Sequence, residues 1–277
     1  MSYNYLDIEA ARMARLIFHL GFPKTGSTTI QQLLRINRDE LFRRGILVSP
    51  RDEFSRSLRR SAIHWARDGG LFNRVVVNLA LRIFASKIKS ARFDSLIVSD
   101  ENIIGVESAR LFSSVCRADY SLVVRCLEKM LGPSFDCYYI AYTRDSEKWR
   151  VSAYNETIKK GKHAHSYSNW CMRNSDLNAP NKIISRLYDI LGERLLVVRM
   201  EDELATGKPL GSVLLNLAGL ESAEILKLRK APISNLSLPE GALAFIRILG
   251  ESGYHGRLLK KIAGIVQKNS HLFHVKD

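Results

Sequence analysis

The chain has 277 residues, 46% apolar and 25% charged, the balance of an ordinary globular protein near the upper size for one domain. No apolar run approaches the roughly 18 residues a bilayer span needs, and residues 1–15 hold acidic groups and no apolar core, so neither a span nor a secretory leader is expected and the expected compartment is the cytoplasm. Forty-two Lys and Arg against 28 Asp and Glu leave a charge of +14, which favours anionic partners, and four cysteines without a C-x-x-C pair give no disulfide framework or zinc site.

Apolar strand-like runs alternate with longer helical patterns, so the predicted fold class is α/β with a mainly parallel central sheet flanked by helices. Leu16–Leu20 reads as a buried strand. Ser27–Arg44 reads as one helix, with Ile30, Leu33, Leu34 and Leu41 on one face, Ser27 or Thr28 as its cap and Gly45 as its end. Gly45–Val48 is a short strand, and Ser57–Arg92 is mostly helical. Ser95–Ser99 is a third strand running into Asp100 and Glu101. Ser121–Leu131 is helical, and Cys137–Tyr142 is a fourth strand, followed by Arg144 and a helix through Lys160. Residues 163–180, rich in Ser, Asn and His, read as irregular. Arg194–Val198 is a fifth strand, and Lys208–Leu217 and Pro239–Leu249 are helical. With no repeat and no Pro/Gly-rich linker, one domain over 1–277 is expected. Excursions at about 55–92 and 161–182 are expected to shape a substrate side.

Chemistry concentrates first in Gly21-Phe22-Pro23-Lys24-Thr25-Gly26-Ser27-Thr28, between the first strand and the first helix. Gly21 and Gly26 permit tight turns and close approach to a ligand. The amides of Gly26 to Thr29 stand at a helix N-terminus, which favours an anion. Lys24 adds a mobile cation, and Ser27, Thr28 and Thr29 add hydroxyls. Against the triphosphate loop G-x-x-x-x-G-K-[ST], Ser27 stands where the lysine belongs and the lysine has moved to Lys24. A ligand with a single 5′-phosphate and a transferable group beyond it fits better than a triphosphate. An ATP- and magnesium-dependent small-molecule or sugar kinase is the alternative.

The run Pro23 to Thr28 resembles the 5′-phosphosulfate loop of the sulfotransferases that use 3′-phosphoadenosine 5′-phosphosulfate (PAPS). That family also places an arginine at a strand end and a serine eight residues later on the donor's 3′-phosphate. Arg144 and Ser152 have that spacing here. Leu195 to Leu204 and Pro232 to Leu238 are similar to two weaker family segments. The glycine-rich C-terminal 3′-phosphate segment of the cytosolic members is missing, with Arg229 and Lys230 as substitutes.

The resemblance implies a nucleotide-kinase-like P-loop fold and sulfuryl transfer to an acceptor hydroxyl without a metal. It implies a donor site of Lys24, Thr25, Gly26, Ser27, Thr28, Thr29, Arg144 and Ser152. Lys24 would stabilise charge on the bridging oxygen. The proton-accepting base is expected to be Glu101, with Asp100 and His64 as rivals, while His19 is expected to bond locally. The acceptor is expected to be a glycan, a glycolipid or a small hydroxylated metabolite, with Trp65, Tyr167 and Trp170 available to stack on sugar faces. Peripheral contact with an anionic membrane surface suits the charge. A nucleic-acid partner does not suit it, because no binding motif and no aromatic interleaving accompany the basic residues.

Overall fold

The computed structural model describes residues 13–104, 121–160, 166–174, 179–232 and 238–273. Five strands, β1 (Arg15–His19), β2 (Ile46–Pro50), β3 (Ser95–Ser99), β4 (Asp136–Thr143) and β5 (Leu195–Arg199), form one all-parallel sheet in the order β2-β3-β1-β4-β5. The register sets Leu16 between Leu96 and Cys137, and Phe18 between Val98 and Tyr139. Parallel strands are covered on both faces, which is why β1 and β3 read as unbroken apolar runs.

Odd and even positions of the strands serve two separate cores. Leu16, Phe18, Leu96, Val98 and Tyr139 pack with α3 (Glu53–Asp68), α4 (Gly70–Ser90), α5 (Ser121–Leu131) and α8 (Ala179–Leu191). Ile17, Ile97, Ile140 and Tyr142 pack with α1 (Ser27–Ile36), α2 (Arg38–Phe42), α10 (Ser212–Leu217) and α11 (Ser222–Ile225). A third core, away from the sheet, joins α6 (Ser146–Lys159), α7 (Tyr167–Arg173), α12 (Glu240–Glu251) and α13 (Gly256–Lys268). A short α9 (Met200–Ala205) follows β5.

Several expectations need correction. The helix expected over Ser27–Arg44 is two helices, broken at Asn37. The Asn37 side chain donates to Leu33 O and Arg229 O and accepts from Arg229 N, so a chain segment 192 residues away takes over the local bonding. Neither Ser27 nor Thr28 caps α1. Gly26 stands at the cap with φ +84° and no side-chain bond. The helical stretch expected over Ser57–Arg92 begins earlier, because Asp52 caps α3 by accepting from Phe54 N, and it divides at Gly69, whose φ is +63°. The region expected to be irregular over 163–180 contains α7 and the start of α8. Ser166 caps α7 by accepting from Asn169 N, and Trp170 anchors it in the third core. Residues 161–165, 175–178 and 233–237, and Cys116, lie outside the described residues.

Candidate functional site

In a parallel sheet every strand delivers its following loop to the same edge, and ligands bind where neighbouring strands send their connections to opposite sides. Here β1 connects toward β2 and β4 connects toward β5, so the crevice lies between β1 and β4. The loop at 21–26 follows β1, and Arg144 follows β4. Arg51 follows β2, Glu101 stands two residues beyond β3, and Glu201 stands two beyond β5. The charged residues that follow the five strands therefore share one edge.

The loop is fixed by bonds from three directions. The Trp149 indole donates to Pro23 O (2.9 Å), the Thr25 hydroxyl to Phe22 O (2.6 Å), and Arg144 Nη1 to Lys24 O (3.4 Å). Lys24 itself is left-handed, at φ +69°, a costly conformation for a side-chain-bearing residue that the surrounding bonds hold in place. Gly26 is required. A Cβ there would stand 2.1 Å from Leu210 Cδ2. At Gly21 a Cβ would lie 2.4 Å from Ser27 Oγ and 3.0 Å from Glu101 Cβ, so a larger residue would displace the Ser27 hydroxyl. Among the described residues, nothing accepts from the backbone N–H groups of Gly26, Ser27, Thr28 and Thr29. They form a bank of free donors at the start of α1.

Of the hydroxyls expected to act as donors, those of Thr25 and Ser27 are turned inward. Thr25 is buried against Phe22 O. Ser27 is buried beside Phe22 O (3.4 Å) and helps to hold the Glu101 carboxylate. Only Thr28, exposed, and Thr29, half-buried, leave hydroxyls facing outward or partly so.

Lys24 reaches across to α6, where Nζ meets Glu156 Oε2 at 2.7 Å. Burial pushes the Glu156 carboxyl up, but Lys160 and Lys24 together hold it below the usual carboxylate range. Ser152 sits half-buried on the second turn of the same helix. Asp145 starts that helix by accepting from Lys148 N, and its own N–H donates to Glu201 at 3.3 Å. Glu201 also lies 3.9 Å from Arg144 Nε, which is buried and hydrogen-bonded to nothing.

On the other side of β1, two adjacent carboxylates have different fates. Asp100 is fully buried. Its Oδ2 accepts from Ser55 Oγ (2.5 Å) and Arg59 Nη1 (2.6 Å), and its Oδ1 from Asn102 N (3.2 Å). It is a structural counter-ion, not a free base. Glu101 is partly exposed and pairs with Arg51 Nη1 at 2.8 Å. Burial raises its pKa, while Arg51, Ser27 and Lys24 pull the other way and Asp100 adds to the rise. His64 is exposed on the outside of α3, and Trp65 and Trp170 are core residues. The two buried indoles are therefore not free to stack on a sugar face. Tyr167 donates to Glu147 at 2.7 Å and stacks on Trp170.

His19 is fully buried beneath the loop. Its Nδ1 bonds with Ser99 Oγ (2.7 Å), and Nε2 lies buried without a partner, 3.3 Å from where a Gly21 Cβ would stand. Burial lowers its pKa to about 3, so the ring is neutral. Arg229, considered as a phosphate ligand, has its backbone tied to Asn37 beyond the far end of α1. That ten-residue helix places it about 15 Å from the loop.

No family model matches the chain, and no curated protein matches it. Glu156, Glu201, Arg51 and Trp149 are site neighbours that sequence reasoning missed. Each lies far along the chain from the group it touches or is one of many similar side chains. Among the described residues, no helix is long and apolar enough to cross a membrane.

Proposed function

We propose that this chain is a PAPS-dependent sulfotransferase on a P-loop, nucleotide-kinase-like scaffold. It would move a sulfuryl group to an acceptor hydroxyl, on a carbohydrate or glycolipid. The observation that carries the reading is the 3.4 Å bond from Arg144 Nη1 to Lys24 O. It unites, across the β1/β4 crevice, two short motifs 120 residues apart that the resemblance assigns to the two phosphates of one donor. The parallel pairing of β1 and β4 brings the loop and Arg144 to one crevice, and the bond between them sets the spacing of the two motifs.

In this reading the free amides of Gly26 to Thr29 take the 5′-phosphate, and Thr28 and Thr29 add hydroxyls. Arg144, whose Nε makes no hydrogen bond, and Ser152 take the 3′-phosphate. Lys24 leaves Glu156 and places its ammonium on the bridging oxygen, where negative charge builds as the S–O bond to the 5′-phosphate breaks. The acceptor oxygen attacks sulfur from the opposite side, and its proton passes to Glu101. The products are the sulfated acceptor and 3′-phosphoadenosine 5′-phosphate. Burial suits Glu101 to this work by raising its affinity for a proton. Its partner Arg51 must loosen for the carboxylate to meet the acceptor.

The test uses sulfur-radiolabelled PAPS and phosphorus-radiolabelled ATP with magnesium, each incubated with extracted glycans and glycolipids. Transfer of sulfur label that requires the protein is expected. Transfer of phosphate from ATP, with no sulfur transfer, would replace this reading with the kinase one.

A further inference from the structure

Helix α4 is apolar on two opposite faces. One face buries Val77, Ala80, Leu81, Phe84, Ala85 and Ile88 in the core shared with α3 and α5. The opposite face presents Leu71, Phe72, Val75, Val76, Leu79 and Ile83 to solvent, with Leu71 81% and Phe72 79% exposed. At 100° per residue these six fall within one outward stripe, about 18 Å long. Helices with one apolar stripe are ordinary, but a second, outward stripe of this size calls for a cover.

The charges on the helix say what kind of cover fits. Arg74, Arg82, Lys87 and Lys89 are all exposed, and the helix has no acidic residue. Helices α3 and α4 together carry eight Arg and Lys against Glu53 and Asp68. A second copy docked face to face about a two-fold axis would set these cations against their own images, with no carboxylate on the helix to relieve them. An anionic lipid surface meets both features. The apolar stripe enters the headgroup–acyl boundary, and Arg82, Lys87 and Lys89, which stand at or just inside its edges, meet the phosphates. Four basic residues in a helix of 21 keep it on the surface, in agreement with the absence of a spanning helix among the described residues.

We propose that the outer face of α4 docks this protein on an anionic membrane surface, with Leu71, Phe72 and Val75 inserted and Arg82, Lys87 and Lys89 on the headgroups. The proposal does not depend on the donor reading, and its test involves no donor. The full chain is floated with vesicles of phosphatidylcholine alone and of phosphatidylcholine with phosphatidylglycerol. Wild type is expected to float with the anionic vesicles only, and to be released by high salt. The combined change Leu71→Ser, Phe72→Ser and Val75→Ser removes exposed side chains, and an unchanged melting temperature verifies the fold. It should weaken partitioning at least about tenfold. Arg82→Gln with Lys87→Gln and Lys89→Gln should do the same. Equal flotation of wild type and the serine variant, or failure of folded wild type to float with anionic vesicles, would overturn the proposal. So would a wild-type dimer by light scattering that the serine variant dissolves.

Discussion

The two halves of the sheet's carboxyl edge use charge in opposite ways. On the β1/β4 side the backbone is tied down and the charged side chains stay partly exposed. The loop at 21–26 is tied by Trp149, Thr25 and Arg144, while the Arg144 Nε has no hydrogen-bond partner and Lys24 rests on a partly exposed Glu156. On the β2/β3 side one carboxylate is spent on structure and its neighbour is left able to change. Asp100 is buried under Ser55 and Arg59, and Glu101 faces Arg51 at the margin of solvent. The difference teaches that adjacent acidic residues at a strand end are not equivalent candidates. The one buried with both oxygens engaged maintains the fold, and the one with a raised proton affinity, held by Ser27 and a partly exposed Arg51, is suited to chemistry.

The largest effect that would sharpen this contrast is on Glu101. Replacing it by Gln should lower turnover by about 10²- to 10⁴-fold while donor-product affinity holds. In wild type the rate should fall as pH drops through a pKa above the usual glutamate value, because burial favours the protonated form, which is no base. Steady-state kinetics across pH checks both outcomes. Lys24→Ala should cost about 10²- to 10³-fold in turnover with the melting temperature preserved, since its ion pair is half-exposed.

Asp100→Asn should show the reverse pattern. Removing the counter-ion of the nearly buried Arg59 should cost about 3 kcal/mol in urea unfolding and leave donor-product binding intact. The smallest effect, taken per pH unit, belongs to His19. Its folded-state pKa of about 3 lies below the ordinary 6.5, so the unfolded chain binds the extra proton between those values. Stability should therefore fall as pH drops below 6.5, by at most about 1.4 kcal/mol per pH unit from this residue. His19→Asn should flatten that slope in urea titrations.

Strands buried on both faces announce themselves as apolar runs, so Leu16–Leu20 and Ser95–Ser99 were legible, as was the loop whose glycines, lysine and hydroxyls occur together. The break at Asn37 was not, because its cause is the distant backbone of Arg229. The helix around Trp170 was hidden by Ser166 and Asn174, polar residues that bound it and read as loop. The partners Glu156 and Arg51 were invisible for a related reason. Each is one carboxylate or guanidinium among many, and only the meeting of α6 and the β2 end with the loop edge selects them. The resemblance points to both motifs, but the inward turn of the Thr25 and Ser27 hydroxyls depends on Phe22 O and Glu101, which only the folded chain brings to them.

The central claim is that the crevice between β1 and β4 holds a donor phosphorylated at both its 3′ and 5′ positions. Calorimetric titration with 3′-phosphoadenosine 5′-phosphate, without magnesium, tests it most directly. Wild type should bind, and Arg144→Ala should lose at least about tenfold in affinity while remaining folded. Binding of ATP with magnesium and none of 3′-phosphoadenosine 5′-phosphate, or equal binding by wild type and Arg144→Ala, would contradict it.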